Sequence, residues 1–277
     1  MTDSDLNAAS AGDTKHMAKI FCVANQKGGV GKTTTTVNLA AGLAKVGQRV
    51  LMIDLDPQGN ATMGSGVDKR KLELTVYDVL LESATIAEAR VQSDKLIAAG
   101  CGYDILGANR ELAGAEVELV EVERRERRLK AALATVATEY DFVLIDCPPS
   151  LSMLTLNGLC CANGVIVPMQ CEYFALEGLT DLVNTIKQVK ANLNDDLQII
   201  GLLRVMFDPR ITLQQQVSEQ LKTHFANKVF NTVIPRNVRL AEAPSYGLPG
   251  VAFDFQSKGA QAFVAFAQEM VARIATM

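Results

Sequence analysis

The 277-residue sequence has no apolar run long enough to span a membrane, and its most apolar stretches, such as 143–145 and 165–168, are short. The first 16 residues are small, polar and aperiodic, and they lack the apolar core of a secretory signal. We therefore predict a disordered tail over 1–16 and one domain over 17–277, in the cytoplasm. Met17 is an alternative translation start.

A surplus of basic residues is also missing, because the net charge is −4. This balance argues only weakly against nucleic-acid binding, since binding depends on the local field. The stretch from Arg204 to Arg239 carries six basic and two acidic residues, so positive charge is concentrated in the C-terminal half. No aromatic platform or recognition helix is evident, which favours contacts to a nucleic-acid backbone over contacts to bases.

No two cysteines have the C-x-x-C spacing that is typical of zinc sites and redox motifs. Without a secretory signal, we interpret all six as reduced thiols that act as small buried apolar side chains. They are Cys22, Cys101, Cys147, Cys160, Cys161 and Cys171.

Apolar segments of strand length alternate with segments of helical periodicity, which predicts an α/β fold. We expect a single domain with a mainly parallel, twisted sheet and helices on both faces. The predicted strands are 19–24, 49–56, 141–149, 164–170, 197–207 and 228–235. The predicted helices are 33–46, 113–138, 176–193, 212–226 and 258–276. In the second helix, the charges of 121–130 are interpreted as a solvated face with the pairs Glu121–Arg125 and Glu123–Arg127.

A glycine-rich loop, ANQKGGVGKTTTTVNLA over 24–40, joins the first strand to the first helix. Its end fits the phosphate-loop pattern, but Gln26 occupies the place of the usual first glycine and Lys27 is an additional lysine. Backbone N–H groups and the helix dipole at such a loop attract phosphates. The predicted nucleotide-binding residues of this loop are Lys27, Gly28, Gly29, Val30, Gly31, Lys32, Thr33 and Thr34.

Carboxylates follow two of the predicted strands. Asp54 and Asp56 lie in LMIDLDPQGN, and Asp146 lies in VLIDCPPS. Acids at the carboxyl ends of parallel strands lie where α/β sheets bind ligands. Together with the loop, they favour a hydrolytic nucleotide site that uses Mg²⁺, so the fold class we predict is a single P-loop NTPase domain.

The segments KGGVGKT, DLDPQGN and DCPPS together resemble the deviant-Walker ATPases of the ParA/MinD superfamily, and within it the ParA/Soj-type partitioning proteins. Further similar segments are 167–179 and 233–247. The resemblance extends from about residue 17 to the C-terminus.

The resemblance implies a role for particular residues. Lys27 is similar to the lysine that reaches the partner's nucleotide in a dimer, and Lys32 to the one that binds its own chain's phosphates. Asp56 resembles the acid that orients the attacking water. The resemblance also implies that Asp56 is one of the residues at the metal site. Thr33 and, through water, Asp146 would hold Mg²⁺. Residues implied to bind the nucleotide elsewhere are Asp54, Met206, Asp208, Pro235, Arg236 and Asn237.

The resemblance also implies slow ATP hydrolysis, a homodimer in the ATP state, and binding to double-stranded DNA without sequence preference. A ParB-like (Spo0J-like) partner would stimulate hydrolysis, on the nucleoid and without a membrane. Arg239 and Arg210 are the first candidates for DNA contacts. The full set is Arg210, Lys222, Arg236, Arg239 and Lys258.

Three alternatives remain at this stage. A MinD-like membrane-cycling ATPase would need a basic amphipathic C-terminal helix, whereas 263–277 contains one basic residue. An iron–sulfur electron carrier on the same loop would need cysteines placed across a dimer. A DNA-binding scaffold with a dead site is disfavoured by the intact Lys32, Thr33, Asp56 and Asp146.

Overall fold

The computed structural model describes residues 17–173 and 175–276, without the side chains of 175–177. The predicted tail, 1–16, lies outside the described residues.

In the described part of the chain, eight strands form one sheet in the order β3-β4-β2-β5-β1-β6-β7-β8. All neighbouring strands are parallel except β3 and β4 at one edge, which are antiparallel. The strands are β1 Lys19–Val23, β2 Val50–Asp54, β3 Val91–Gln92, β4 Asp104–Leu106, β5 Phe142–Asp146, β6 Gly164–Met169, β7 Gln198–Phe207 and β8 Val229–Pro235.

Helices cover both faces of the sheet. None of those described is both long and apolar enough to cross a bilayer. They are α1 Lys32–Lys45, α2 Asn60–Gly64, α3 Val76–Leu80, α4 Ile86–Ala89, α5 Asp94–Ala98, α6 Leu112–Glu118, α7 Arg128–Ala134, α8 Met153–Cys161, α9 Ala175–Asn192, α10 Thr212–Phe225, α11 Val238–Glu242, α12 Gly250–Phe253 and α13 Lys258–Ala275. The described residues also form short 3₁₀ helices at Leu119–Glu121, Arg125–Arg127, Ala226–Lys228 and Ala243–Tyr246.

Alternate side chains of the central strands enter two separate cores. In β1, Phe21 and Val23 pack under α1 and α13, whereas Cys22 packs on the opposite face with α3, α7, α8 and α9. This two-sided burial explains why the central strands are nearly continuous apolar runs. The predicted fold class is therefore confirmed. All six cysteines are buried, as expected.

Two sequence predictions about the fold are wrong. The sheet has two more strands than the six predicted, because β3 and β4 have only two and three residues. The helix predicted over 113–138 is broken into α6, two 3₁₀ turns and α7. Arg124 has a φ of 53°, which no α-helix accommodates, and Arg128 pairs with Glu82 instead of with a neighbour on the same helix.

Candidate nucleotide site

The glycine loop leaves the carboxyl end of β1 and enters α1. Gly29 and Gly31 have φ values of 73° and 79°, in the left-handed region that favours glycine. Gly31 precedes the first residue of α1, and the Met206 methyl group would lie 3.6 Å from a Cβ at this position. The N–H groups at the start of this 14-residue helix therefore open onto the loop.

Lys32 is buried within its own loop. It is 8% exposed, and its Nζ donates a hydrogen bond to the Lys27 carbonyl at 3.2 Å. Burial lowers the pKa of Lys32, and the charges of Asp146 and Asp56 oppose this effect. This ammonium group is thus fixed beside the anion-binding loop, where a phosphate would replace the carbonyl as its partner.

Asp146, the last residue of β5, is buried and accepts two hydroxyl hydrogen bonds. Thr33 Oγ1 donates to one of its oxygens at 2.7 Å, and Thr36 Oγ1 donates to the other at 3.0 Å. Burial raises the pKa of Asp146, as does the charge of Asp54, while the two hydroxyls lower it. The sequence analysis missed Thr36, although it lies one helical turn after Lys32.

Asp54 and Asp56 have different surroundings. Asp54 is buried and accepts hydrogen bonds from the Thr62 N–H and hydroxyl, both at 2.8 Å, and from the Asp56 N–H at 3.1 Å. Burial raises the pKa of Asp54. The Asp56 carboxylate is only half-buried and accepts the Gln58 N–H at 2.9 Å. Asp54 therefore positions the loop that carries Asp56. The direct contact of Asp54 with a nucleotide stays a prediction.

The oxygen donors at this edge of the sheet suit Mg²⁺. The Thr33 hydroxyl and the Asp146 carboxylate are adjacent. The charges of Asp146 and Asp56 both act on Lys32. In the described part of the chain, no three His, Cys, Asp or Glu residues form a complete metal cage. Magnesium is usually bound by one or two protein oxygens together with substrate phosphates and water, so the donor set fits that ion.

A mostly apolar cavity of about 200 Å³ adjoins the loop. It is lined by Gly31 and Thr34 and by four of the residues predicted from the resemblance, Met206, Pro235, Arg236 and Asn237. Met206 lies in β7 and has a φ of 52°, which is a strained conformation for a residue other than glycine. Such strain is common at binding sites. Its sulfur is 3.2 Å from Nε2 of Gln170, which also donates to the Gly29 carbonyl at 3.0 Å.

Asp208 is not among the residues that line this cavity. Its carboxylate pairs with Arg210 at 2.7 Å, and the Arg210 guanidinium lowers the pKa of Asp208 to about 2. The predicted nucleotide contact of Asp208 receives no support from this geometry.

The five candidate DNA-binding residues fall into two groups. Three are ion-paired: Arg210 with Asp208, Lys222 with Glu219, and Arg239 with Glu242 and Asp254. Arg236 and Lys258 are exposed and have no ion pair within the described residues. Arg204, which contributed to the basic surplus of the sequence, is buried and donates to Phe230 and Ser218. It belongs to the fold and not to a surface patch.

The Lys27 side chain pairs with a residue outside its own loop. Its Nζ is 2.6 Å from a carboxylate oxygen of Glu172, just after β6, and the two side chains are 49% and 46% exposed. Glu172 was not identified from the sequence, because 145 residues separate it from Lys27.

The strand, glycine loop and helix, with a buried lysine and a threonine–aspartate pair, define a phosphate-loop nucleotide-binding protein. An AAA domain family matches residues 18–199. The sporulation initiation inhibitor protein Soj of Bacillus subtilis is 50% identical, over 92% of this chain and 99% of the relative. The chromosome partitioning protein ParA of Myxococcus xanthus is 46% identical, over 93% and 89%.

Among solved structures, a Mycobacterium smegmatis protein described as cobyrinic acid a,c-diamide synthase, with bound ADP and magnesium, has a TM-score of 0.81 and 39% identity. The match covers 94% of this chain and 96% of that one. The chain belongs to the Soj/ParA family of ATPases within the ParA/MinD superfamily. The predicted family is thus confirmed, and the predicted ATP and Mg²⁺ agree with the ADP and magnesium of that M. smegmatis structure and with the ATP analog and magnesium of a second structure of the same protein.

Proposed function

We propose that this ATPase is a partitioning protein that dimerises around ATP, binds DNA as a dimer and is released by hydrolysis. The observation that carries the proposal is the position of Lys27. Its ammonium group contacts Glu172 at the surface, whereas Lys32 alone occupies the loop interior. A second lysine at the surface is available to the nucleotide of another subunit.

The side chains have separate roles in this proposal. Lys32 binds the β- and γ-phosphates, and Thr33 with Asp146 holds Mg²⁺, which neutralises developing charge on the phosphates. Asp56, half-buried beside this centre, orients the attacking water. Lys27 of the second subunit stabilises charge on the γ-phosphate in the transition state. Loss of that phosphate removes the group that joins the subunits.

In this proposal, the ATP-bound dimer binds DNA reversibly. Contacts to phosphates alone give salt-dependent, sequence-independent affinity, and a dimer doubles the cationic surface. The names of the Bacillus and Myxococcus relatives favour chromosome partitioning as the process. Hydrolysis is slow until a ParB-like partner stimulates it, and the dimer is then located on the nucleoid.

Three alternative functions are less well supported. In α13, Phe263, Phe266 and Met270 are buried in the core, so a MinD-like use of this helix on a membrane would expose core residues. An iron–sulfur cluster shared by two subunits needs accessible thiols, whereas every cysteine is buried. The synthase name of the M. smegmatis protein belongs to a less similar chain than the Soj and ParA relatives.

The test is binding to random-sequence DNA with ATP, with ADP and without nucleotide, over a salt series. We expect binding with ATP only, and a steep loss of affinity with salt. Asp56→Ala should retain ATP-dependent binding and lose turnover, whereas Lys27→Ala should lose ATP-dependent dimerisation and DNA binding together. Equal DNA affinity in all three nucleotide states would contradict the proposal.

A further inference from the structure

Gln170 follows β6 directly, and its side-chain amide contacts the glycine loop. Its Nε2 donates a hydrogen bond to the Gly29 carbonyl oxygen at 3.0 Å and lies 3.2 Å from the Met206 sulfur. An amide nitrogen has two N–H donors, and these two acceptors use both of them. In the opposite orientation the amide oxygen would face another oxygen and a sulfur, so the contacts determine which end of the amide faces the loop.

This hydrogen bond restrains the peptide unit between Gly29 and Val30. Gly29 has a φ of 73°, and apart from its chain neighbours no atom of the described residues lies within 4 Å of a Cβ built there. Packing therefore does not fix this flexible position, and the bond to Gln170 does. Because a peptide unit is planar and trans, the Val30 N–H points to the side opposite the Gly29 carbonyl, away from Gln170.

The Val30 N–H is a donor that lacks an acceptor. Val30 is 2% exposed, and its N–H makes no hydrogen bond within the described part of the chain. Backbone N–H groups of buried residues are normally paired. This donor belongs to the same loop as Lys32, so a phosphate oxygen of a bound nucleotide would supply the missing acceptor.

We propose that Gln170 is a positioning residue for nucleotide binding, which holds the Gly29–Val30 peptide so that the Val30 N–H faces the phosphates. The inference rests on the proposed function only in requiring a nucleotide in this loop. Both N–H groups of the Gln170 amide are used within the protein, so Gln170 acts through the loop and not on the reacting atoms.

The main chain of Gln170 has a separate contact. Its carbonyl accepts the Glu172 N–H at 2.9 Å, in the turn that carries the partner of Lys27. A substitution of the Gln170 side chain leaves this turn in place. The effect on the glycine loop can therefore be measured without disturbing the Lys27–Glu172 pair.

The experiment compares two variants with the wild-type protein. Gln170→Met has a side chain of similar length without a donor, and Gln170→Glu has the same shape with oxygen acceptors only. The matched control is Gln261→Met, because Gln261 Nε2 also donates to a backbone carbonyl, that of Phe255, at 2.7 Å. Calorimetric titration measures affinity for ATP and for ADP with Mg²⁺. Steady-state hydrolysis gives KM and kcat, and a thermal melt without nucleotide reports on folding.

We expect Gln170→Met to bind ATP and ADP about tenfold more weakly and to raise KM to a similar extent. Its kcat at saturating ATP should stay within about twofold of wild type, because the loop is restored once the nucleotide is bound. Gln170→Glu should lose more affinity, since its carboxylate repels both the Gly29 carbonyl and the phosphates. Thermal unfolding of both variants, and every property of the control, should match the wild type.

Wild-type affinity for ATP and ADP in both Gln170 variants would overturn the inference and leave the proposed function intact. A fall in kcat as large as the rise in KM would also overturn it, in favour of a role in the chemical step. A lower unfolding temperature without nucleotide would overturn it in favour of a role in folding. A wild-type protein that binds neither nucleotide would contradict this inference and the proposed function together.

Discussion

Lys32 and Lys27 belong to one loop, yet their surroundings differ. Lys32 is enclosed by the loop, and burial lowers its pKa against the attraction of Asp146 and Asp56. Lys27 is half-exposed and held by one surface carboxylate, Glu172. An exposed ion pair of this kind contributes little free energy, so it breaks readily when a better anion arrives.

The two lysines differ in whether their proposed ligand belongs to their own chain or to a second molecule. The half-buried Thr33 contacts the buried Asp146, and the charge of Asp146 acts on the buried Lys32, so a nucleotide meets these groups in place. Lys27 and the candidate DNA-binding cations have exposed ion pairs or, for Arg236 and Lys258, no ion pair among the described residues. We therefore expect nucleotide binding in the monomer, whereas the proposed dimerisation and DNA binding rest on side chains at the surface.

We expect the largest effect from substitution of the buried lysine, Lys32. Lys32→Ala removes a charged donor to the phosphates, and ATP affinity should fall by about a hundredfold or more. Lys27→Ala should leave monomer affinity for ATP within about threefold, because its ammonium group is exposed and pairs with Glu172. Calorimetric titration at a protein concentration below dimerisation measures both. Similar losses in the two variants would remove the distinction between the lysines.

A moderate effect is expected among the exposed cations. Arg236 and Lys258 have no acid partner in the described structure, whereas Arg210 is held by Asp208. Arg236→Ala and Lys258→Ala should each lower the slope of log affinity against log salt by about one. Arg210→Ala should change the slope less, because its charge is already compensated. A larger change of slope for Arg210→Ala than for the other two variants would show that the Arg210–Asp208 ion pair opens on DNA. It would support Arg210 as one of the first candidates chosen from the sequence.

The smallest effect concerns the surface contact of Lys27 itself. Glu172→Gln removes a competing intramolecular partner, and ATP-dependent dimerisation should strengthen by up to about fivefold. Sedimentation over a concentration series measures it, with Glu219→Gln, which breaks the Lys222 pair, as the matched control. Weaker dimerisation in Glu172→Gln than in the control would mean that Glu172 contributes to the dimer instead of competing with it.

The central part of the fold was predictable because two-sided burial leaves strong apolar runs. Strand β5, for example, was recognised from DFVLID, and its last residue is the predicted Asp146. Strands β3 and β4 were missed because two or three residues cannot display a periodic pattern. The break at Arg124 was also missed, since neither glycine nor proline marks it and the charge pattern fits a helix.

The site was predictable where its residues are close in sequence or form motifs. The loop, Thr33 and Asp146 are examples, and the structure brings the last two within 2.7 Å. The partners that set the character of the site, Glu172 for Lys27 and Thr62 for Asp54, come from other elements of the fold. Such contacts depend on tertiary packing and have no local signal.

The most direct test of the trans role of Lys27 is to mix two inactive variants, Lys27→Ala and Asp56→Ala. In a mixed dimer, the nucleotide of the Lys27→Ala chain has its own Asp56 and receives Lys27 from the other subunit. Each mixed dimer has one complete site out of two, so the account predicts that an equal mixture has more ATPase activity than either variant alone and at most about half that of wild type. If Lys27 served its own chain, neither site would be complete, and a mixture as inactive as its components would contradict the account.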